Sequence, residues 1–285
     1  MSQTPMRQAA RNAIGVLALT LSLAVPQASS AGNLVEEIVS RGTVTAATEA
    51  AYEPFEFIED GKITGYSKNI LDEVVADLGV ELNQLNLPWA GILPGMLAKK
   101  FDFVATSVSI KAERVKKYAF THPIGLVQTV LLVRASNTDI NAPEDLDGKI
   151  IAAQIASTDQ ATIEEYNKAR VASGEAGYRE LKLFQSLPET FTSVGSGQVD
   201  VGLVASNVAA ALLRKQPGKF KIVAQLGKPR FLAWVTHPDG AALRDRINRV
   251  IEKLHENGKL KEWQQEWFGF QMDLPTQGYL PEGAV

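Results

Sequence analysis

Strand-like and helix-like patterns alternate along this chain from residue 34 to residue 268, which restricts it to α/β units built on mostly parallel sheets. Leu34, Val35, Ile38 and Val39 share one helical face, and Gly42 ends that helix. Thr43–Thr48 reads as a strand. Ile70, Leu71, Val74, Val75 and Leu78 recur at helical spacing with Gly79 as the stop, and 104–109 is again strand-like. A second alternating set begins near Lys149. It comprises a strand over 149–155, a helix capped by Ser157 or Thr158 and running through Tyr166, and a strand over 199–204. Ser206 or Asn207 then caps a helix through Leu213. A long helix starts at Asp239 and runs through His255, Lys259–Phe268 follows, and the tail from Gln271 is extended.

Composition narrows the function classes. With 45% hydrophobic and 21% charged residues, 285 residues can bury a sizeable core. A net charge of −3 argues against nucleic acid as a partner, because that partner needs a basic surface. Residues 1–31 read as a cleavable secretion signal: Arg7 and Arg11 open it, 13–25 is apolar and uncharged, and Ser29-Ser30-Ala31 supplies small residues for cleavage. The apolar run falls short of the roughly 20 residues that a membrane span requires. Removing this segment takes both arginines with it and leaves a charge of −5. The chain has no cysteine, so lipid anchoring through cysteine, disulfides and thiolate metal sites are all excluded. His122, His237 and His255 are too scattered for a metal site, and no phosphate loop, nucleophile elbow or His-Glu metal motif is present. No cofactor and no metal are expected.

The richest stretch lies between Thr48 and Arg114. It holds Thr48-Glu49-Ala50-Ala51-Tyr52-Glu53-Pro54-Phe55, then Gly65-Tyr66, Trp89, and Thr106-Ser107-Val108-Ser109-Ile110-Lys111-Ala112-Glu113-Arg114. Reading an anion takes N–H donors, small hydroxyls and a guanidinium able to grip a carboxylate with two parallel bonds. Further matches follow in order: Leu34-Val35-Glu36-Glu37-Ile38, Phe101-Asp102-Phe103-Val104, Glu144-Asp145-Leu146-Asp147-Gly148-Lys149, Ser157-Thr158, Gly197-Gln198-Val199-Asp200-Val201, Gly258-Lys259-Leu260 and Trp267-Phe268-Gly269. In these residues the chain resembles family 3 of the bacterial extracellular solute-binding proteins, the polar amino-acid receptors of ABC importers.

That resemblance implies a type II periplasmic-binding-protein fold: two α/β lobes with parallel-rich sheets, joined by two hinge strands, with the ligand cleft between them. Lobe 1 is placed at 32–125 and, with the tail, 229–285; lobe 2 is placed at 126–228. It implies a periplasmic monomer that closes on a solute and delivers it to an ABC permease and its ATPase at the inner membrane. Arg114 would clamp a ligand carboxylate, with Thr106, Ser107 and Ser109 beside it and Ser157 and Thr158 facing from a lobe 2 helix. Ala156 stands where the family usually has glycine. Tyr52 and Trp89 would cover the ligand's faces, with Phe55 and Phe57 lining the wall or packing beneath it. Asp102, Asp145, Asp147 and Asp200 read as structural turn and strand-edge residues.

The chain departs from the family pattern at Ala205. Relatives that bind ordinary amino acids place an aspartate there, five residues after the strand aspartate that is Asp200 here, to pair with the α-ammonium. Glu49 occupies the position of an aspartate usual in cationic amino-acid receptors. Burying an unpaired cation is costly. The expectation is therefore a carboxylate-bearing zwitterion whose cation lies elsewhere than in a standard amino acid, such as an opine or an ectoine-like solute. The alternative is a cyclohexadienyl dehydratase-like enzyme on the same fold, with Glu49 or Asp159 as the acid.

Overall fold

Why these segments pair as they do follows from burial. The computed structural model describes residues 34–285, so the secretion signal expected over 1–31 lies outside the described residues. β1 (Thr43–Thr48) runs parallel to β5 (Glu81–Asn86) and to β6 (Phe103–Ser109). Every residue of β6 is buried, which is why Phe103-Val104-Ala105-Thr106-Ser107-Val108-Ser109 shows no polar alternation. Helices α1 (Leu34–Arg41), α2 (Tyr66–Leu78) and α3 (Trp89–Leu97) belong to this half of the molecule. So do the one-turn α4 (Ala112–Val115), α8 (Ala241–Glu256) and α9 (Lys259–Phe268). α8 buries Leu243, Ile247, Val250, Ile251 and Leu254, a three-to-four-residue spacing that gives one apolar face. Each such side chain contributes roughly 1.5–3 kcal/mol on burial.

The other half is built on β9 (Ile150–Gln154), which is parallel to both β10 (Glu180–Phe184) and β11 (Val201–Ala205). α5 (Thr158–Ala172), α6 (Leu187–Gly195) and α7 (Ser206–Lys215) accompany these strands. Two long strands tie the halves together. β8 (Gly125–Arg134) and β12 (Phe220–Thr236) pair antiparallel from Gly125↔Leu232 to Arg134↔Phe220, with register shifts between Ile222 and Ala224 and between Leu226 and Arg230. The strand order β10-β9-β11-β8-β12-β6-β1-β5 is therefore one continuous ladder. The short β7 (Ala119–Phe120) pairs with β12, and β2 (Ala51–Tyr52), β3 (Glu56–Glu59) and β4 (Lys62–Thr64) form a separate small sheet.

Several local expectations shift. α2 starts at Tyr66, ahead of Ile70, and α5 continues past Tyr166 to Ala172. α8 begins at Ala241 behind Gly240 instead of at Asp239, and Ala205 precedes α7 where a Ser206 or Asn207 cap was expected. Val39 is half exposed, so the buried face of α1 reduces to Ile38. The tail has neither helix nor strand, yet buries Met272 and Leu274 and ends with the Val285 N–H bonded to the Val115 carbonyl at 2.9 Å.

Candidate functional site

Parallel strands send their carboxyl ends to one edge, and ligands of such sheets bind beyond that edge. Here Glu49 follows β1, Ser109 closes β6 and Gln154 closes β9, while Trp89 and Thr158 open α3 and α5. All nine residues expected at the site, Glu49, Tyr52, Trp89, Thr106, Ser107, Ser109, Arg114, Ser157 and Thr158, line one cavity of about 30 Å³. Gln154, Asp159 and Arg230 complete its wall.

Arg114 reaches this cavity from α4. Its Nη1 donates to the Ser109 carbonyl and to Thr158 Oγ1, each at 3.3 Å, and Nη2 donates to the Ala156 carbonyl at 3.4 Å. The guanidinium stands 5.5 Å from the centre of the Trp89 ring, a cation–π distance. Burial lowers its pKa to about 10, and the like charge of Arg230 acts in the same direction, so Arg114 stays a cation at neutral pH. The Trp89 Nε1–H also donates to the Ala156 carbonyl, at 3.0 Å. Ala156 presents that carbonyl from a left-handed backbone, φ 59°, the conformation that glycine takes without strain.

Glu49 sits across the cavity, nearly buried. It accepts Gln154 Nε2–H at 2.5 Å and the backbone N–H of Trp89. Burial pushes its carboxyl up to about 7 against those two bonds, and the nearby Glu56 adds to the shift. Tyr52 stands close enough to Arg230 and Asp159 for both charges to act on its hydroxyl.

Two expected donors face elsewhere. Thr106 Oγ1 donates to Glu56 at 2.6 Å, and Ser107 gives Glu56 both its N–H, at 2.8 Å, and its hydroxyl, at 3.1 Å. Thr106 and Ser107 thus line the cavity with their donors already engaged. Ser157 is the N-cap of α5, its Oγ accepting the Gln160 N–H at 3.0 Å. The Ser109 hydroxyl accepts Arg230 Nε–H at 3.0 Å.

Sequence reasoning missed Glu56, Gln154 and Arg230 as parts of the site, and considered Asp159 only as a catalytic acid. Arg230 had left one signal, a lone cation after Pro229 in the otherwise apolar closing portion of β12. The four aspartates read as structural are tied to structure. Asp102 binds Arg41 and the Thr45 N–H, Asp145 the N–H groups of Asn141 and Ala142, Asp147 pairs with Arg170, and Asp200 holds the Ile150 N–H. His122 bonds Glu252 at 2.7 Å and Tyr279 at 3.0 Å, away from the cavity, and no group of acidic or histidine side chains among the described residues could hold a metal. Phe55 is buried against Tyr66 and Phe268, while Phe57 lines a larger cleft of about 680 Å³. Glu53 and Lys215 in that cleft pair with each other at 2.7 Å.

The model of the bacterial extracellular solute-binding proteins, family 3, matches residues 44–270. The chain belongs to this family. The family 3 protein described here is similar to a probable amino-acid ABC transporter-binding protein of Haemophilus influenzae, 26% identical over 254 residues covering 88% of this chain and 95% of that one. It is also similar to the L-cystine-binding protein TcyA of Bacillus subtilis, 26% identical over 84% of this chain and 85% of the relative. Among solved structures, the P235GK mutant of ArgBP from T. maritima superposes with a TM-score of 0.76 at 27% identity, covering 83% of this chain and 99% of that chain. The fold is the two-lobed type II architecture of these solute-binding proteins. The relatives are named as binding proteins, one of them for an ABC transporter, and as a family 3 solute-binding protein this chain is a binding protein, which stands against the dehydratase alternative.

Proposed function

We propose that this protein captures a small carboxylate-bearing zwitterion, an amino acid or amino-acid derivative, in the periplasm and delivers it to an ABC permease and its ATPase at the inner membrane. The observation that carries this reading is the pairing of opposite charges across one cavity: Arg114, stacked over Trp89, and nearly buried Glu49. Arg114 takes the carboxylate and Glu49 faces a cationic group, while Tyr52 and Trp89 cover the apolar faces between them. Ser109 and Thr158, each already bonded to Arg114, give the anion a polar surround from both sides of the cavity.

The working units are a lobe over 32–125 and 229–285 and a lobe over 126–228, with the crossing strands β8 and β12 as the hinge between them. Closure is favourable because one solute touches both lobes. Cleavage after Ala31 releases a monomer that carries no metal or cofactor. Relatives differ in ligand: TcyA is named for L-cystine, and T. maritima ArgBP has an arginine-bound form.

A thermal-shift panel of L-amino acids, L-cystine, octopine, glycine betaine and ectoine tests the proposal. A true ligand at a hundredfold excess over its Kd stabilises the fold by about 2.7 kcal/mol. A panel in which no zwitterion raises the melting temperature refutes the assignment.

A further inference from the structure

The resemblance leads to the expectation of a carboxylate at the end of β11, where Ala205 stands, and the structure puts another one beside that position. Ala205 is fully buried and does not line the cavity. In the β11–β8 ladder it stands opposite Thr129. The Thr129 hydroxyl donates to Asp159 Oδ1 at 2.5 Å, so a carboxylate descending from the first turn of α5 comes to the strand position opposite residue 205. Arg230 holds the arrangement together. Its Nη2 donates to the same Oδ1 at 2.8 Å, its Nη1 to Thr129 Oγ1 at 2.9 Å and its Nε to Ser109 Oγ at 3.0 Å. Asp159 is nearly buried and lines the cavity, and among the described residues both of its side-chain bonds end on Oδ1. Oδ2 is left as an acceptor.

We propose that Asp159, oriented by Arg230 and Thr129, replaces the carboxylate missing at position 205 and accepts the α-amino group of a solute whose carboxylate is on Arg114. This deepens the receptor reading above and rests on it. Spacing supports it. An α-amino acid carries its carboxylate and its amino group on one and the same carbon, and Arg114 bonds Thr158, the residue next to Asp159. Glu49 is bonded to Gln154 and to the backbone N–H of Trp89 instead of to this pair, which leaves it for a second polar or cationic group of the solute. The solute class is then an ordinary α-amino acid, contrary to what Ala205 alone suggests.

The probes are the common L-amino acids and L-cystine, screened by thermal shift. The best of them is then compared by calorimetry with its α-des-amino acid. Wild-type protein prefers the amino acid by about tenfold or more, the loss expected when a buried charge-assisted bond is removed. Asp159→Asn erases that preference while keeping affinity for the des-amino acid, a result that a misfolded site does not give. Adding Ala205→Asp to Asp159→Asn restores the preference in part. Equal binding of both probes by wild type, an intact preference in Asp159→Asn, or loss of both probes alike in that variant overturns the proposal. If only ectoine or glycine betaine binds, the receptor assignment stands and the α-amino proposal falls; if no zwitterion binds, both fall.

Discussion

Single residues set the charge logic of the cleft. Arg114→Ala removes the cation proposed to meet the solute carboxylate, and breaking a buried charge-assisted pair costs about 2–5 kcal/mol. Calorimetry on the variant should show affinity falling well over tenfold with thermal unfolding cooperative as before. A change under about threefold places Arg114 outside the binding machinery. Glu49 makes a separate prediction about pH. Its carboxyl titrates near 7 in the fold against an ordinary value of 4.5, so the protonated form favours the folded state. That contribution is complete below about pH 4.5 and fades as pH rises through about 7. Glu56 is shifted the same way by burial and its charge acts on Glu49, so the comparison reads Glu49 together with its coupling to Glu56. Unliganded wild type should lose melting temperature between about pH 5 and pH 8 more steeply than Glu49→Gln; parallel curves contradict the assignment. Sequence alone pointed to Arg114, Glu49 and Trp89, which the fold brings to one cavity, because their types suit the chemistry expected at that spacing. It could not show that Glu56 takes up the donors of Thr106 and Ser107, since a glutamate between two phenylalanines has nothing local to mark its partner fifty or so residues away.

Elements were the most legible scale, and their ends the least. The strand Thr43–Thr48 and the helix Lys259–Phe268 match their expected bounds because glycines flank them, Gly42 on one side of the strand and Gly258 and Gly269 around the helix. The long α8 begins late because Gly240, not Asp239, occupies its N-cap. At the start of α5 two neighbouring residues pull in opposite directions. Ser157→Ala removes the bond to the Gln160 N–H and should cost about 1 kcal/mol. Ala156→Gly relieves a left-handed alanine, a strain of roughly 1–2 kcal/mol, offset in part by about 0.5–1 kcal/mol of glycine entropy. Urea unfolding should therefore find Ala156→Gly more stable than wild type by a fraction of a kcal/mol up to about 1 kcal/mol. A destabilised variant would mean that the segment before α5 is held by its surroundings and not strained.

On the scale of the whole molecule, the cavity of about 30 Å³ is spanned by direct bonds between its walls. Entry requires the halves to part. The bonds that must yield include those of Arg114 and Trp89 to the Ala156 carbonyl, Arg114 to Thr158, Gln154 to Glu49, and Lys215 to Glu53. Small-angle scattering should give a smaller radius of gyration with a saturating solute than without, and an unchanged radius argues against a hinge. The Trp89 contact has an optical consequence. Of the four tryptophans, Trp234 packs on Phe103, Trp267 meets Phe57 edge-on and Trp263 lies under Lys259, whereas the Trp89 indole N–H is bonded across the cleft beneath a guanidinium. Parting the halves frees that N–H and uncovers the ring to solvent, so its emission should move to longer wavelength on opening and back on closure. On the proposed hinge motion the protein carries its own fluorophore at the joint, and stopped-flow fluorescence of unlabelled protein would time the closing step.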